Sequence, residues 1–177
     1  SSCQRYTVSR FGHALAIEPG LQQSITDTTL GQQAIYLQAL GGLKAELRFP
    51  YLDTYQESGL RALSKAELVL PINGTYYPLY APPSQVFVFR KADDGSDLVL
   101  PDQASLINDV GGYYDATNNE YRLVITRWVQ GVIKGTYPNT GLSLVPGGRG
   151  VSVNRGVLSG PAALNRPMRL RLTFTTY

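Results

Sequence analysis

Residues 121–177 read YRLVITRWVQGVIKGTYPNTGLSLVPGGRGVSVNRGVLSGPAALNRPMRLRLTFTTY. Leu123 and Ile125 face one way, and Arg122 and Val124 face the other. Met168, Leu170, Leu172 and Phe174 alternate with Arg169, Arg171, Thr173 and Thr175. Alternation of this kind marks a strand with one buried face. The apolar face of the second run is continuous, so this closing strand is expected to be central or inner in its sheet. Between the two runs, residues 126–134 read as a helix. Thr126 can cap its start. Trp128 or Val129, then Val132 and Ile133, recur at helical spacing, and Gly135 suits the position just past the end. So short a helix must pack on sheets to persist.

The alternation extends upstream. Leu43, Ala45, Leu47 and Phe49 alternate with Lys44, Glu46 and Arg48, and Pro50 stops the run. Ala66, Leu68 and Leu70 alternate with Glu67 and Val69 until Pro71. Residues 85–90, QVFVFR, are apolar on both faces and read as a central strand. Residues 93–97, DDGSD, make a turn, and the chain returns through Leu98, Val99 and Leu100 to Pro101. Residues 6–11 and 14–17 are further strand candidates. Residues 25–33 are polar and read as a loop, and 34–40 read as a strand or one helical turn ended by Gly41 and Gly42. About ten short strands with Gly/Pro turns and one short helix predict an all-β protein, a jelly-roll-type β-sandwich. The whole chain, 1–177, reads as one such domain.

Composition agrees. Charged residues make up only 16%, while Gly (18), Pro (11) and Tyr (12) are plentiful, which suits a turn-rich β protein. A chain this long buries about 70% of the surface that its unfolded form exposes. Charge is unevenly spread. Residues 1–120 hold eight basic and thirteen acidic side chains, whereas residues 121–177 hold eight basic and none acidic. A basic face built from the second half would attract sulfated or uronate glycans, lipid phosphates or nucleic acid. The plainer alternative is that strands of the two halves interleave and mix their charges. Basic residues alternate along strands, and no nucleic-acid-binding motif occurs, so nucleic acid is not an expected partner.

Catalytic material is scarce. There is one His (His13) and one Cys (Cys3), no G-x-S-x-G elbow, no H-E-x-x-H and no clustered His/Cys pattern. The expectation is therefore no enzyme, no metal and no cofactor, with a glycosidase-type carboxylate pair as the remaining catalytic alternative. Residues 93–97 offer several oxygens but lack the EF-hand pattern, so an Asp-Gly hairpin turn is favoured over calcium. Residues 115–120 read as another polar turn. Ligand binding is better served. Tyr76, Tyr77 and Tyr80 lie in a Pro-rich loop beside Asn73, Tyr113 and Tyr114 follow Gly111-Gly112, and Arg149 lies in a Gly-rich basic loop. Aromatic faces stack on sugar rings while Asn, Asp and Arg bond hydroxyls. The competing reading is that these tyrosines fill core or end positions.

From residue 34 onward the chain also resembles a known family. The matching stretches are YLQALGG (36–42), LSKAELVLP (63–71), YAPPSQ (80–85), LPD (100–102), GGYYD (111–115), EYRLVITRWVQ (120–130) and NRGVLSGP (154–161). Together they resemble the Bacteroidota surface-lipoprotein family catalogued as domain of unknown function 4270. The layout is also similar to disaggregatase-related sandwich modules, some regarded as carbohydrate-binding. The resemblance implies a β-jelly-roll at the C-terminal end of a longer exported lipoprotein, held at the bacterial outer membrane or outside the cell. It brings no established catalytic residues. Membrane attachment would come only through a lipid anchor outside this chain. Ser1-Ser2-Cys3 faintly resembles a lipidation site, without the apolar segment that should precede one. The expected function is a non-catalytic envelope or surface module that binds glycans. The alternative is a structural or protein-interaction subunit of an envelope assembly, self-association included.

Overall fold

The structure is a computed structural model, and it describes residues 5–10, 30–39, 43–53, 61–74, 80–104, 110–148 and 151–176. The described chain is mostly β, with one short helix. Its strands are β1 Arg5–Arg10, β2 Ala34–Gln38, β3 Leu43–Arg48, β4 Arg61–Pro71, β5 Val86–Lys91, β6 Asp97–Val99, β7 Gly111–Asp115, β8 Glu120–Val124, β9 Leu142–Pro146, β10 Arg155–Ser159 and β11 Arg169–Thr176. The helix α1 spans Thr126–Ile133, and a single 3-10 turn precedes β2 at Leu30–Gln32.

Three antiparallel sheets form, none of them closed. Five strands lie in the order β1-β3-β9-β5-β6, four in the order β11-β4-β8-β7, and β10 pairs with β2. A bridge between Ile72 and Leu158 joins the β2–β10 pair to the end of β4. A second bridge, Gln85 to Tyr113, joins the five-stranded sheet to the four-stranded one. All three sheets contribute to one apolar cluster. It takes Leu43, Ala45 and Leu47 from β3, Leu68 and Leu70 from β4, and Val86 and Val88 from β5. Leu123, Leu142, Leu144 and Leu158 complete its centre. Alternation decides which face β2 and β3 bury, whereas β9 is buried along both faces and β6 along neither.

Several expectations change in the structure. The closing strand β11 is an edge strand among the described residues, not an inner one. Met168 and Leu170 are buried, but Leu172 and Phe174 are only half-buried, because β4 flanks this strand on one side alone. Strand β5 has one neighbour on each side, yet Phe87 is 39% exposed, so its second face is not core. β4 ends at Pro71, as read, and Pro71 itself is paired in the register with Glu120. Residues 34–38 are a strand rather than a helical turn. Residues 14–17 and Gly41-Gly42 lie outside the described residues.

The helix is where expected, but its cap is not. Ile125 occupies the N-cap position and supplies no side-chain cap. Thr126 turns away, and its hydroxyl accepts the Ala66 amide of β4 at 3.0 Å. The carboxylate of Asp102, in the loop after β6, caps the helix from a distance. Its two oxygens accept the amides of Arg127 at 2.8 Å and Trp128 at 2.9 Å. Gly135 does fill the left-handed position past the helix end, at φ 71°. Trp128 is fully buried, edge-on to Phe49 at 5.5 Å. Gly131 has no room for a Cβ because the Tyr137 ring lies against it.

On the outward face of the five-stranded sheet, Lys44 pairs with Asp97 and Lys91 with Glu46, both at 2.9 Å, and Ser143 donates to Asp97 at 2.6 Å. Burial of Asp97 opposes its ionisation. The hydrogen bonds from Ser143 and Lys44, with the charges of Lys44 and Lys91, outweigh it and hold the carboxyl below the usual range.

Asp102 behaves oppositely. Burial outweighs its two amide hydrogen bonds and pushes its carboxyl above the ordinary value. Replacing Asp102 by Ala should lower unfolding free energy by about 1–2 kcal/mol, as loss of an N-terminal cap does, measured by denaturant titration. The pH dependence has a definite sign. A carboxyl with a raised folded-state pKa makes stability fall as pH rises through the window above about 3.9. Acidification into that window should therefore stabilise the wild type relative to Asp102→Asn, and unfolding midpoints at several pH values would show it.

Candidate functional site

The segment 80–85, Tyr-Ala-Pro-Pro-Ser-Gln, organises one end of the molecule. Two prolines deprive it of amide donors, so it cannot extend β5 as a regular ladder strand. Its carbonyls are taken instead by groups of β8, β7 and the turn after β9. Tyr121 Oη donates to Pro83 O at 2.7 Å, the Tyr114 amide to Ser84 O at 2.9 Å, and the Gly147 amide to Gln85 O at 2.8 Å. Gln85 Nε2 reaches Gly111 O at 3.1 Å. The segment thereby fastens the β7 loop on one side and the β9–β10 loop on the other.

These contacts decide where the candidate tyrosines stand. Tyr80 is half-buried, and the Arg155 guanidinium lies 4.3 Å from its ring centroid, a cation–π contact. Tyr114 turns towards the core. Its hydroxyl donates to Asn119 at 2.9 Å and its ring lies 5.6 Å from that of Tyr121. Tyr113 points outward and is 58% exposed. Tyr113 and Tyr114 thus meet the segment at Gln85 and Ser84, whereas Tyr80, at its other end, packs on Arg155 of β10, and Tyr113 is the most exposed of the three rings. Tyr76, Tyr77 and Arg149 lie outside the described residues, as do Cys3 and His13.

Backbone geometry explains the outward turn of Tyr113. Gly111 pairs with Leu123 and Tyr114 with Tyr121, so Gly112 and Tyr113 together oppose the single residue Arg122. Two residues against one is a β-bulge, a common device for re-aiming a side chain. Gly112 adopts φ 82°, and a Cβ there would collide with Val86 O. The Gly-Gly pair noticed in the sequence is thus what aims Tyr113.

Beside the bulge lies an open cleft of about 210 Å³, lined by Val86, Val88, Gln103, Val110, Gly111 and Leu123 among others. It is smaller than the ~300–1,000 Å³ usual for small-molecule pockets. Among the described residues no group of three or more His, Cys, Asp or Glu comes together. Asp94 and Asp115 are used locally. Hydrogen bonds from Ser96 hold the Asp94 carboxyl below the usual range, and those from Asn118 and Thr117 do so for Asp115. The turns around Asp94 and after Asp115 are of that self-satisfying kind, while Asp97 and Glu120, at the ends of the two stretches, belong to β6 and β8.

Sequence reasoning missed Tyr121 and Asp102 as organisers. Tyr121 was visible as an apolar-phase residue of β8, and Asp102 as an acid one residue after a proline. Their partners lie 38 and 25 residues or more away. No family model matches the chain, and no curated protein matches it.

Tyr121 is the keystone of the loop cluster, and burial pushes its hydroxyl well above the ordinary tyrosine value. Tyr121→Phe leaves the Pro83 carbonyl without this partner in a buried setting. The expected cost is about 1–3 kcal/mol. Amides of residues 84, 85 and 114 should also exchange faster in hydrogen–deuterium exchange, while those of β3 and β9 keep their protection.

Proposed function

We propose that this chain is a non-catalytic module of the bacterial cell envelope or surface whose loop cluster around residues 80–85 binds glycans. The observation that carries the reading is the outward aim of Tyr113 at a bulge that borders an open cleft. An exposed ring presents a flat apolar face to a sugar, and neighbouring polar groups bond its hydroxyls. The envelope setting and lipid-anchored origin rest on the resemblance to the surface-lipoprotein family, as does the view of the chain as the C-terminal domain of a longer lipoprotein. The jelly-roll form of the fold belongs to the same proposal. In its favour, most connections carry the chain from one sheet to another: β3 to β4, β4 to β5, β6 to β7, and β8 through α1 to β9.

A second reading, assembly with itself or with an envelope protein, has its own support. Both β1 and the eight-residue β11 are edge strands among the described residues. Such edges accept further strands. Phe87 and Val99 are also exposed on the outward face of the five-stranded sheet.

A glycan-array screen with and without calcium separates the two. The glycan reading expects an uncharged glycan among the hits. Tyr113→Ala should then weaken that glycan about fivefold, near the ~1 kcal/mol of an aromatic contact. An unchanged affinity would remove the platform. A blank array together with a concentration-dependent increase in size would favour assembly.

A further inference from the structure

The charges of the two halves of the chain do interleave, but incompletely. Strand β4 lies between β11 and β8, so the acids of the first half meet the bases of the second. On the outward face of this four-stranded sheet, Arg122 and Arg166 hold Glu120 at 2.6 and 2.9 Å. Lys65 holds Glu67 at 2.9 Å, with Arg171 3.9 Å from its other oxygen. Depth separates the signs. The side chains of Glu120 and Glu67 are 5% and 13% exposed, whereas those of Arg122, Arg166, Arg171 and Lys65 are 44–51% exposed. Arg169 is exposed and has no hydrogen-bond or ion-pair partner among the described residues. Asp115, paired with Glu120 in the register, spends its carboxylate on the turn 115–118. An incoming ligand therefore meets guanidinium and ammonium groups, with the carboxylates beneath them or turned to their own loop.

The layout is regular because a sheet enforces it. Arg169, Val69 and Arg122 are direct register partners across β11, β4 and β8. At strand spacing this sets the two arginines roughly 10 Å apart. Val69 between them is fully buried although it faces outward. Arg171 stands two residues along β11 from Arg169, roughly 7 Å away. Thr173 and Thr175 continue the same face with hydroxyls.

We propose that the outward face of the four-stranded sheet is a binding surface for an acidic polysaccharide, a chain carrying sulfate or uronate groups. Planar guanidinium forks suit both anions, which accept two parallel hydrogen bonds. Threonine hydroxyls both donate and accept, as sugar hydroxyls require. A flat track of spaced cations fits an extended polymer with regularly spaced charges. Single-stranded nucleic acid is less well served, because it needs successive aromatic platforms and, among the described residues, the face has only Tyr113 at its margin. A membrane surface is also less well served, because among the described residues the four strands project no exposed aliphatic anchor, and Leu164 of the loop before β11 is a single exposed side chain beside them. The proposal rests on the glycan reading for the class of polymer, but it uses a different surface from the tyrosine loops.

The test measures binding of the chain to heparin and polygalacturonate, with dextran as uncharged control and vesicles of equimolar phosphatidylcholine and phosphatidylglycerol as the alternative. The variants are Arg169→Glu/Arg171→Glu, the milder Arg169→Gln/Arg171→Gln, Tyr113→Ala, and a charge-matched control, Arg127→Glu/Lys134→Glu, at exposed positions in the helix and just past its end. Unfolding midpoints verify that each variant is folded. The wild type should bind at least one acidic polysaccharide, more weakly as salt rises. The double Glu variant should lose about tenfold or more, as expected for two exposed ion contacts reversed in sign. The Gln variant should lose less, and the helix control and Tyr113→Ala should lose little. Equal loss in the helix control would reduce the effect to net charge and overturn the proposal. So would unchanged binding by both Arg variants, absence of acidic-polysaccharide binding, or preference for the vesicles. An uncharged glycan that needs Tyr113 while heparin is ignored would overturn this surface and leave the loop site standing.

Discussion

A single carboxylate joins two parts of the chain that lie 25 residues apart in sequence. Asp102 follows the edge strand β6, and it accepts two amides from the first turn of α1, which connects β8 to β9. An eight-residue helix is too short to hold itself together in water. Its start has unsatisfied amides, its own N-cap residue is Ile125, and its first turn contains no acid. Capping from outside settles these deficits and also locks the loop after β6 against the helix. Trp128, whose amide is one of the two donors, is then held in the core against Phe49. The raised carboxyl pKa reflects the cost of placing this acid under cover, and the two amide bonds offset part of that cost.

The loop cluster obeys a similar rule. Pro82 and Pro83 leave segment 80–85 with too few amides to join a ladder, so its carbonyls are satisfied by groups from β8, β7 and the turn after β9. That exchange makes a seam between sheets, marked by the Gln85–Tyr113 bridge. The bulge at Gly112 belongs to the seam, since the glycine is where the β7 backbone packs on Val86. An outward tyrosine is the geometric consequence. Binding residues on a loop seam braced by a rigid sheet keep their positions better than residues on a free loop tip.

Most of the strands were legible because burial of one face writes a period of two into the sequence. Residues 43–49, 66–70 and 121–125 show it plainly, and the structure buries the alternating residues as read. Position within a sheet was much less legible. A continuous apolar face says that a strand lies on a core, not how many neighbours flank it, and so β11 was misjudged as inner. Phe87 misled in the same way, because an aromatic on a strand's second face need not be covered. The cap was misassigned because Thr126 met a local rule, whereas Asp102 met a tertiary one. Of the candidate tyrosines, spacing could gather Tyr113 and Tyr114 but could not say which would turn inward. That depended on a bulge whose only trace was the pair Gly111-Gly112.

Charge was legible in amount and misleading in arrangement. The acid-free second half suggested either a basic face or complete mixing, and the fold produces a layered version of both. Interleaving β4 with β8 and β11 brings each of Glu67 and Glu120 beneath two or more cations. A short glutamate in the middle of a sheet is shielded by longer arginine and lysine side chains around it, so pairing lowers the net charge without removing the positive outer layer. The five-stranded sheet shows the contrasting result. There Lys44, Lys91, Glu46 and Asp97 have similar depth, at 14–25% exposed, and neutralise one another. The two outward faces therefore differ in kind: one is a closed ion network beside exposed apolar residues, and the other keeps donor capacity at its surface. That difference comes from side-chain length and strand order rather than from composition, which is why counting charges along the chain could not reveal it.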